Sequence, residues 1–178
     1  RYKMIAMHHA DMAMNSHIRN DGSVNHIVVH DINNGETKEV LAGQGRSTDS
    51  CWSRGAAWAI YGFVLSYIHT QRKEYLDTAK RAANYFIAAA YSDWLVRADF
   101  RAPDEPVIYD STAACCAACG LIEIAENSDE YEKDMYLSAA LNILKKTDEK
   151  FCNYDNEKDY IVGYGTERYT ITGEGVHI

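Results

Sequence analysis

The chain has 178 residues, 47% of them hydrophobic and 25% charged, with two prolines, which excludes disordered and fibrous classes and suffices for one sizeable core. Its net charge of −8 and pI near 5.3 argue against a nucleic-acid partner or an anionic membrane surface, because no cluster of Lys and Arg stands ready to neutralise phosphate. The first predicted element is an amphipathic helix from Tyr2 to about His17, carrying His8, His9 and His17, for which helix packing is the expected role. Next, Val24 to Asp31 alternates as a strand with Val24, His26, Val28 and His30 on one face. His26 and His30 would then be about 13 Å apart, too far to share a metal. Asp31-Ile32-Asn33-Asn34-Gly35 mimics a calcium loop, but its glycine falls one position early and no glutamate closes it, so a turn is expected. The result is a short β-hairpin near residues 24–42.

From Trp52 to about Tyr67 the pattern is apolar nearly all round, as in a helix buried on every side. The next helix, Glu74 to Ala90, carries one apolar stripe of Leu76, Ala79, Ala83, Phe86, Ile87 and Ala90 opposite a charged face. The pair then recurs. Asp110 is the expected N-cap of a small, apolar helix to about Glu126, and Asp129 to about Phe151 reads as amphipathic through Leu137, Leu141 and Leu144. This alternation of inner and outer helices predicts an all-α fold of stacked helical hairpins. Three of the five cysteines, Cys115, Cys116 and Cys119, lie on one small-residue helix, where they are expected to pack as reduced thiols. Reduced cysteines favour a cytoplasmic over a periplasmic setting. No stretch is long and apolar enough to span a membrane, and Arg1-Tyr2-Lys3-Met4 lacks the apolar region of a signal peptide.

The chemistry concentrates between Gly43 and Phe63, where a polar loop leads into the first inner helix. Trp52 and Trp58 offer flat apolar faces suited to the C–H faces of a sugar ring, with core packing as the alternative for each. The Arg54 guanidinium matches a planar carboxylate in two parallel hydrogen bonds. Among the carboxylates, Asp49 is expected to form a turn or cap with a lowered pKa, and Asp99, Asp104 and Glu105 to sit solvated in a loop. None reads as a proton donor.

Gln44-Gly45, Ser50-Cys51-Trp52-Ser53-Arg54-Gly55 and Ala57-Trp58-Ala59-Ile60-Tyr61-Gly62-Phe63 together resemble the QG-loop and S-x-W-x-R-G-x-A-W-x-I-Y-G-F run of the unsaturated glucuronyl hydrolases. Arg19-Asn20-Asp21-Gly22-Ser23-Val24-Asn25-His26, followed by Asp31 and Gly35, resembles that family's R-x-D-G-S-x-x-H strand and D-x-x-x-G turn. Asp99-Phe100, Pro103, Glu105-Pro106 and Asp110-Ser111-Thr112-Ala113-Ala114 through Ala118-Cys119-Gly120-Leu121-Ile122-Glu123-Ile124-Ala125 are similar to its later segments. The resemblance implies part of an (α/α)6 barrel of six helical hairpins and a glycoside hydrolase that hydrates the C4=C5 bond of a 4,5-unsaturated uronic acid. It implies substrate-binding roles for His26, Gln44, Trp52, Arg54, Trp58 and Tyr164, with His26 and Gln44 orienting hydroxyls and Arg54 either holding carboxylate charge or bracing the loop. It implies no metal and no organic cofactor.

In that family the catalytic aspartate precedes everything matched here, so residues 1–178 are expected to form the C-terminal portion of one barrel domain with the acid upstream of Arg1. No helix is expected at Gly175–Ile178 to cover the last inner face. The expected partners are an unsaturated uronic-acid oligosaccharide, the rest of the same polypeptide or a second copy. Two departures bear on subsite preference: Ala56 replaces a common glutamine, and Tyr164 stands where a sugar-contacting histidine is frequent. The unsaturated rhamnogalacturonyl hydrolases remain an alternative, although Ala56-Ala57 departs from their W-x-R-G-N-G-W. A helical carbohydrate-binding scaffold without catalysis is the other.

Overall fold

In a computed structural model residues 1–170 are described, so Gly175–Ile178 lie outside the described residues. The described chain forms α1 (Tyr2–His17), β1 (Ile27–His30), β2 (Thr37–Leu41), α2 (Ser53–Thr70), α3 (Lys73–Ala90), α4 (Ser111–Glu126) and α5 (Glu130–Phe151). β1 and β2 pair antiparallel from Ile27 opposite Leu41 to His30 opposite Thr37, with a register shift between Val29 and His30. Their turn is closed by the Gly35 N–H donating to Asp31 O at 2.8 Å, and Gly35 takes the positive φ of 74° that such a turn needs. The strand is shorter than its alternation predicts. Val24 forms only an isolated bridge with Ile18, and His26 sits in a bend before β1.

α2 turns into α3 through Gln71, whose left-handed backbone (φ 61°) lets its N–H reach Tyr67 O at 2.7 Å. α3 then buries Leu76, Ala79, Ala83 and Phe86 as expected, together with Tyr75, Thr78 and Ala82, against α2. α4 packs between α2 and α5. Its N-terminus is capped by Asp110, which accepts from the Thr112 N–H at 3.1 Å. Small residues let α4 approach α2 closely, and a Cβ on Gly120 would lie 2.8 Å from Ile60 Cγ2 and 3.0 Å from the Tyr61 nitrogen. Gly120→Ala is therefore expected to lower unfolding free energy by about 1–3 kcal/mol despite alanine's better helix propensity, a loss that urea titration reads directly.

The inner-outer alternation places two helical hairpins, α2–α3 and α4–α5, side by side as part of an (α/α)6 toroid. Three expectations shift. α5 buries Tyr136, Ala140, Ile143 and Thr147, one position away from the predicted leucine stripe, and Leu141 faces outward. Ala140 and Ile143 suit the close approach of small-residue α4, while the leucines flank the contact. The cysteines are free, and burial pushes the Cys51 thiol up to about 11, yet Cys119 is exposed rather than packed. Most consequentially, α2 is not buried all round. Trp58 and Gly62 are exposed on the side facing α1.

α1 is fastened instead to the start of α3. The Tyr75 hydroxyl donates to Asp11 Oδ1 at 2.7 Å, and Arg72 pairs with the same carboxylate at 2.9 Å. The Tyr75 and Arg72 hydrogen bonds hold the Asp11 carboxyl below its ordinary value of 3.8. A depressed carboxylate contributes stability above its unfolded pKa that is lost as pH falls through the folded one. Acidification below about pH 4 should thus loosen α1 first, which hydrogen exchange across residues 5–17 would register as earlier loss of protection than in α4.

Candidate functional site

Between β2 and α2 the chain runs through a polar loop that carries Gln44 and ends at Trp52. Gln44 Oε1 lies 2.5 Å from His26 Nε2. With that carbonyl oxygen facing the ring, Nε2–H donates to it, which in the neutral imidazole leaves the lone pair on Nδ1. The Trp52 ring packs against His26 at 4.4 Å between centroids, and Trp58, on the second turn of α2, meets Trp52 edge-on at 5.3 Å. Gly43 makes room for this imidazole: a Cβ there would sit 2.2 Å from His26 Cδ2 and 2.7 Å from Nε2, whereas one on Gly55 would press on the Trp52 ring at 3.3 Å and only touch His26 Nδ1 at 3.6 Å. Gly43 also holds φ +57°. Gly43→Ala should therefore expel the ring, cost about 1–3 kcal/mol and abolish the protected His26 ring proton in NMR spectra.

His26 and Trp58 open into a groove of about 540 Å³ between α1, the approach to β1 and α2. Its walls include His9, Ala13, Asn25 and Phe63, a mostly apolar hollow with a few polar groups, as small-molecule sites usually are. Trp58 is 54% exposed and supplies the open aromatic surface expected of it. His9 lines this groove and is exposed, so the packing role expected for it is not what the fold gives it. His17 is the tethered one, its Nδ1 lying 2.9 Å from Asn25 O.

Trp52 takes the core-packing alternative, and Arg54 the bracing one of its two expected roles. Trp52 is 1% exposed, its face covered by His26 and by the Arg54 guanidinium 5.6 Å from its centroid. It is a wall, and its Nε1 is buried without a hydrogen-bond partner among the described residues. Arg54 donates from Nε and Nη2 to the two oxygens of Asp110 at 3.0 and 2.9 Å and from Nη2 to Thr166 O at 2.7 Å. Of the two roles open to Arg54, its paired edge performs the bracing one. Asp110 is wholly buried, and this pair links the α4 N-terminus to the segment carrying Tyr164.

Tyr164 is held in a left-handed conformation (φ 62°). Its carbonyl accepts from the Ser111 N–H at 3.1 Å, and its ring lies 5.1 Å from Phe151. It is half exposed but does not line the groove that holds Trp58. The geometry thus brings His26, Gln44, Trp52 and Trp58 together, sets Arg54 against the Trp52 ring and leaves Tyr164 off the groove.

Among the carboxylates, Asp49 is exposed and its carboxyl is lowered chiefly by the Ser47 hydroxyl, in the direction expected for a turn residue. Asp104 is solvated beside Arg97. Asp99 contradicts its expected solvation: it is 1% exposed and accepts from Arg46 N, Ser50 Oγ, Cys51 N and Arg101 N. Its position just before Phe100, in a segment bridged to Trp52, is a tertiary feature without a local signature.

The chain is 39% identical over 142 residues to the unsaturated glucuronyl hydrolase of Bacillus sp. strain GL1, a match covering 78% of this chain and 38% of that protein. The crystal structure of unsaturated glucuronyl hydrolase from Bacillus sp. GL1, described as responsible for the degradation of glycosaminoglycan, superimposes with a TM-score of 0.88 at 33% identity, covering 97% of this chain and 46% of that one. A mutant unsaturated glucuronyl hydrolase from Streptococcus agalactiae complexed with dGlcA-GalNAc6S matches with a TM-score of 0.81 at 27% identity, over 94% of this chain and 45% of the other. No family model matches the chain. It spans about two fifths of the length of the curated relatives it matches. Over that span, in both its sequence and its hairpin architecture, the chain belongs to the unsaturated glucuronyl hydrolase family.

Proposed function

We propose that this chain forms the sugar-binding portion of an unsaturated glucuronyl hydrolase, the C-terminal part of one (α/α)6 domain, acting on oligosaccharides that end in a 4,5-unsaturated uronic acid. The observation that carries the reading is the exposed Trp58 face beside His26 in a groove of about 540 Å³, roomy enough for a sugar unit. The Trp58 indole packs on the C–H face of the sugar. His26 Nδ1 accepts from a sugar hydroxyl, and the Gln44 amide holds the ring and orients a second hydroxyl. Trp52 backs the imidazole, Arg54 braces the wall through Asp110, and Tyr164 stands at an outer rim.

The chemistry that goes with this family resemblance is hydration. A carboxylic acid donates its proton to C4 of the unsaturated ring and water adds at C5, returning a proton to the carboxylate; the C5 hemiketal then opens by breaking the ring C5–O5 bond to leave a C5 ketone, and the C1 hemiacetal so formed collapses to an aldehyde and releases the next sugar as its alcohol. The buried carboxylates described here, Asp99 and Asp110, spend their oxygens on structural donors, which supports an acid supplied from a segment outside these residues. The apolar surround such an acid needs is partly provided by the exposed Trp58.

The test is the ultraviolet absorbance of the C4=C5 bond in an unsaturated chondroitin disaccharide. The purified chain is expected to bind the sugar while the absorbance stays constant. A steady decay catalysed by the chain alone would place the acid within it and overturn this division of labour.

A further inference from the structure

The loop from Gly45 to Cys51 has its backbone polar groups collected by three side chains from distant segments. Asp99 takes the N–H side: Oδ2 accepts from Arg46 N at 2.9 Å and Ser50 Oγ at 2.6 Å, and Oδ1 from Cys51 N at 3.3 Å and Arg101 N at 3.0 Å. Arginines take the carbonyl side. Arg19 donates to Thr48 O and Ser50 O, both at 2.8 Å, and Arg101 donates to Asp49 O at 2.7 Å while pairing with Asp21. Gly45 lies against the hub, a Cβ there falling 3.1 Å from both Asp99 Oδ2 and Ser50 Oγ. Gln44 is the residue just ahead of this clamped segment, and its own carbonyl accepts from the Tyr169 N–H at 2.9 Å.

A buried carboxylate costs several kcal/mol unless its oxygens are satisfied, and Asp99 is satisfied by the very loop that carries Gln44. A loop held from both sides loses little entropy when a ligand arrives. We propose that Asp99 is a positioning residue for the sugar site: through the 45–51 loop it sets Gln44 against His26, fixing the imidazole tautomer that leaves Nδ1 free toward the groove. The proposal deepens the sugar-binding reading given above and rests on it for its functional consequence. Its structural half, the control of the His26 ring by Asp99, stands apart from any ligand.

The experiment compares the 178-residue chain with its Asp99→Asn variant, which keeps the shape of the side chain but turns one acceptor into a donor facing N–H groups. Circular dichroism reports the fold, nitrogen-resolved NMR reports the His26 ring, and calorimetry with an unsaturated chondroitin disaccharide reports binding. In a folded Asp99→Asn the exchange-protected Nε2–H signal of His26 is expected to vanish and affinity to fall about tenfold, the equivalent of one lost hydrogen bond. Thr78→Val, which removes a buried hydroxyl bonded to Glu74 O on α3, serves as the control and should leave the ring signal in place. A folded Asp99→Asn with an unchanged His26 signal overturns the proposal. If Asp99→Asn does not fold, Ser50→Ala removes one donor to Asp99 and is read in the same way: a weakened ring signal supports the role and an unchanged one overturns it. Should the ring respond to Asp99→Asn while the unmodified chain binds no disaccharide, the positioning role stands and the sugar-binding reading falls.

Discussion

Replacing Arg54 with alanine is expected to lower the unfolding free energy by about 3–5 kcal/mol, the usual consequence of stranding one member of a buried ion pair. The stranded group is Asp110, wholly buried beside an Arg54 side chain that is itself only 13% exposed. Among the described residues Asp110 would keep the Thr112 N–H at 3.1 Å and the Thr166 N–H at 3.4 Å, too little for a full charge out of water. Thr166 O would lose its 2.7 Å donor, removing one of several ties on the segment that carries Tyr164. Arg54→Lys should recover only part of the loss, since an ammonium cannot give two parallel N–H bonds to one carboxylate. Urea titrations of the three proteins decide the matter. A change below about 1 kcal/mol in Arg54→Ala would mean that the pair behaves like an exposed one.

Trp52→Ala is expected to have an effect of similar size, about 3–5 kcal/mol, from the lost transfer energy and the cavity left behind. Few side chains here touch so many functional neighbours: His26 at 4.4 Å, Trp58 at 5.3 Å and the Arg54 guanidinium at 5.6 Å. The alanine variant should therefore lose the ordered His26–Gln44 pair as well as stability. Trp52→Phe is the informative companion. It keeps most of the apolar area and deletes the buried Nε1–H, which has no partner among the described residues, so it should cost at least 2 kcal/mol less than alanine. Equal losses from the two substitutions, read by chemical denaturation, would show that the indole nitrogen contributes a bond.

The helices were legible because their signals are local. Asp110 announced the start of α4 by its side-chain chemistry, and the single stripe of α3 from Leu76 to Ala90 needed only a 3.6-residue period. Side-chain environment was harder to read. Trp52 and Trp58 share a helix entrance and a residue type, yet one is 1% and the other 54% exposed. What separates them is α1, fastened to α3 through Asp11, Arg72 and Tyr75 so that a groove remains beside Trp58. Arg54 had the right fork for a carboxylate, but the carboxylate it finds belongs to Asp110, 56 residues along the chain. Asp99 looked like one more charged loop residue because three of its four donors come from a segment 48 to 53 residues away. Of the α5 stripe Leu137 and Leu144 do pack against the core, but its centre lies one position earlier and leaves Leu141 outside, because Ala139 and Ala140 are small enough to meet α4 closely yet carry less hydropathy than the leucine beside them.

The central claim is that the Trp58–His26 groove receives an unsaturated uronic-acid sugar, and a titration of the chain with an unsaturated chondroitin disaccharide, followed residue by residue in NMR spectra, tests it most directly. Saturable shifts should gather at Trp58, His26, Asn25 and His9 and vanish in Trp58→Ala, whose exposed side chain can be removed without unfolding the helix. Saturable binding that survives unchanged in a folded Trp58→Ala, or shifts gathered away from these four residues, would contradict the account.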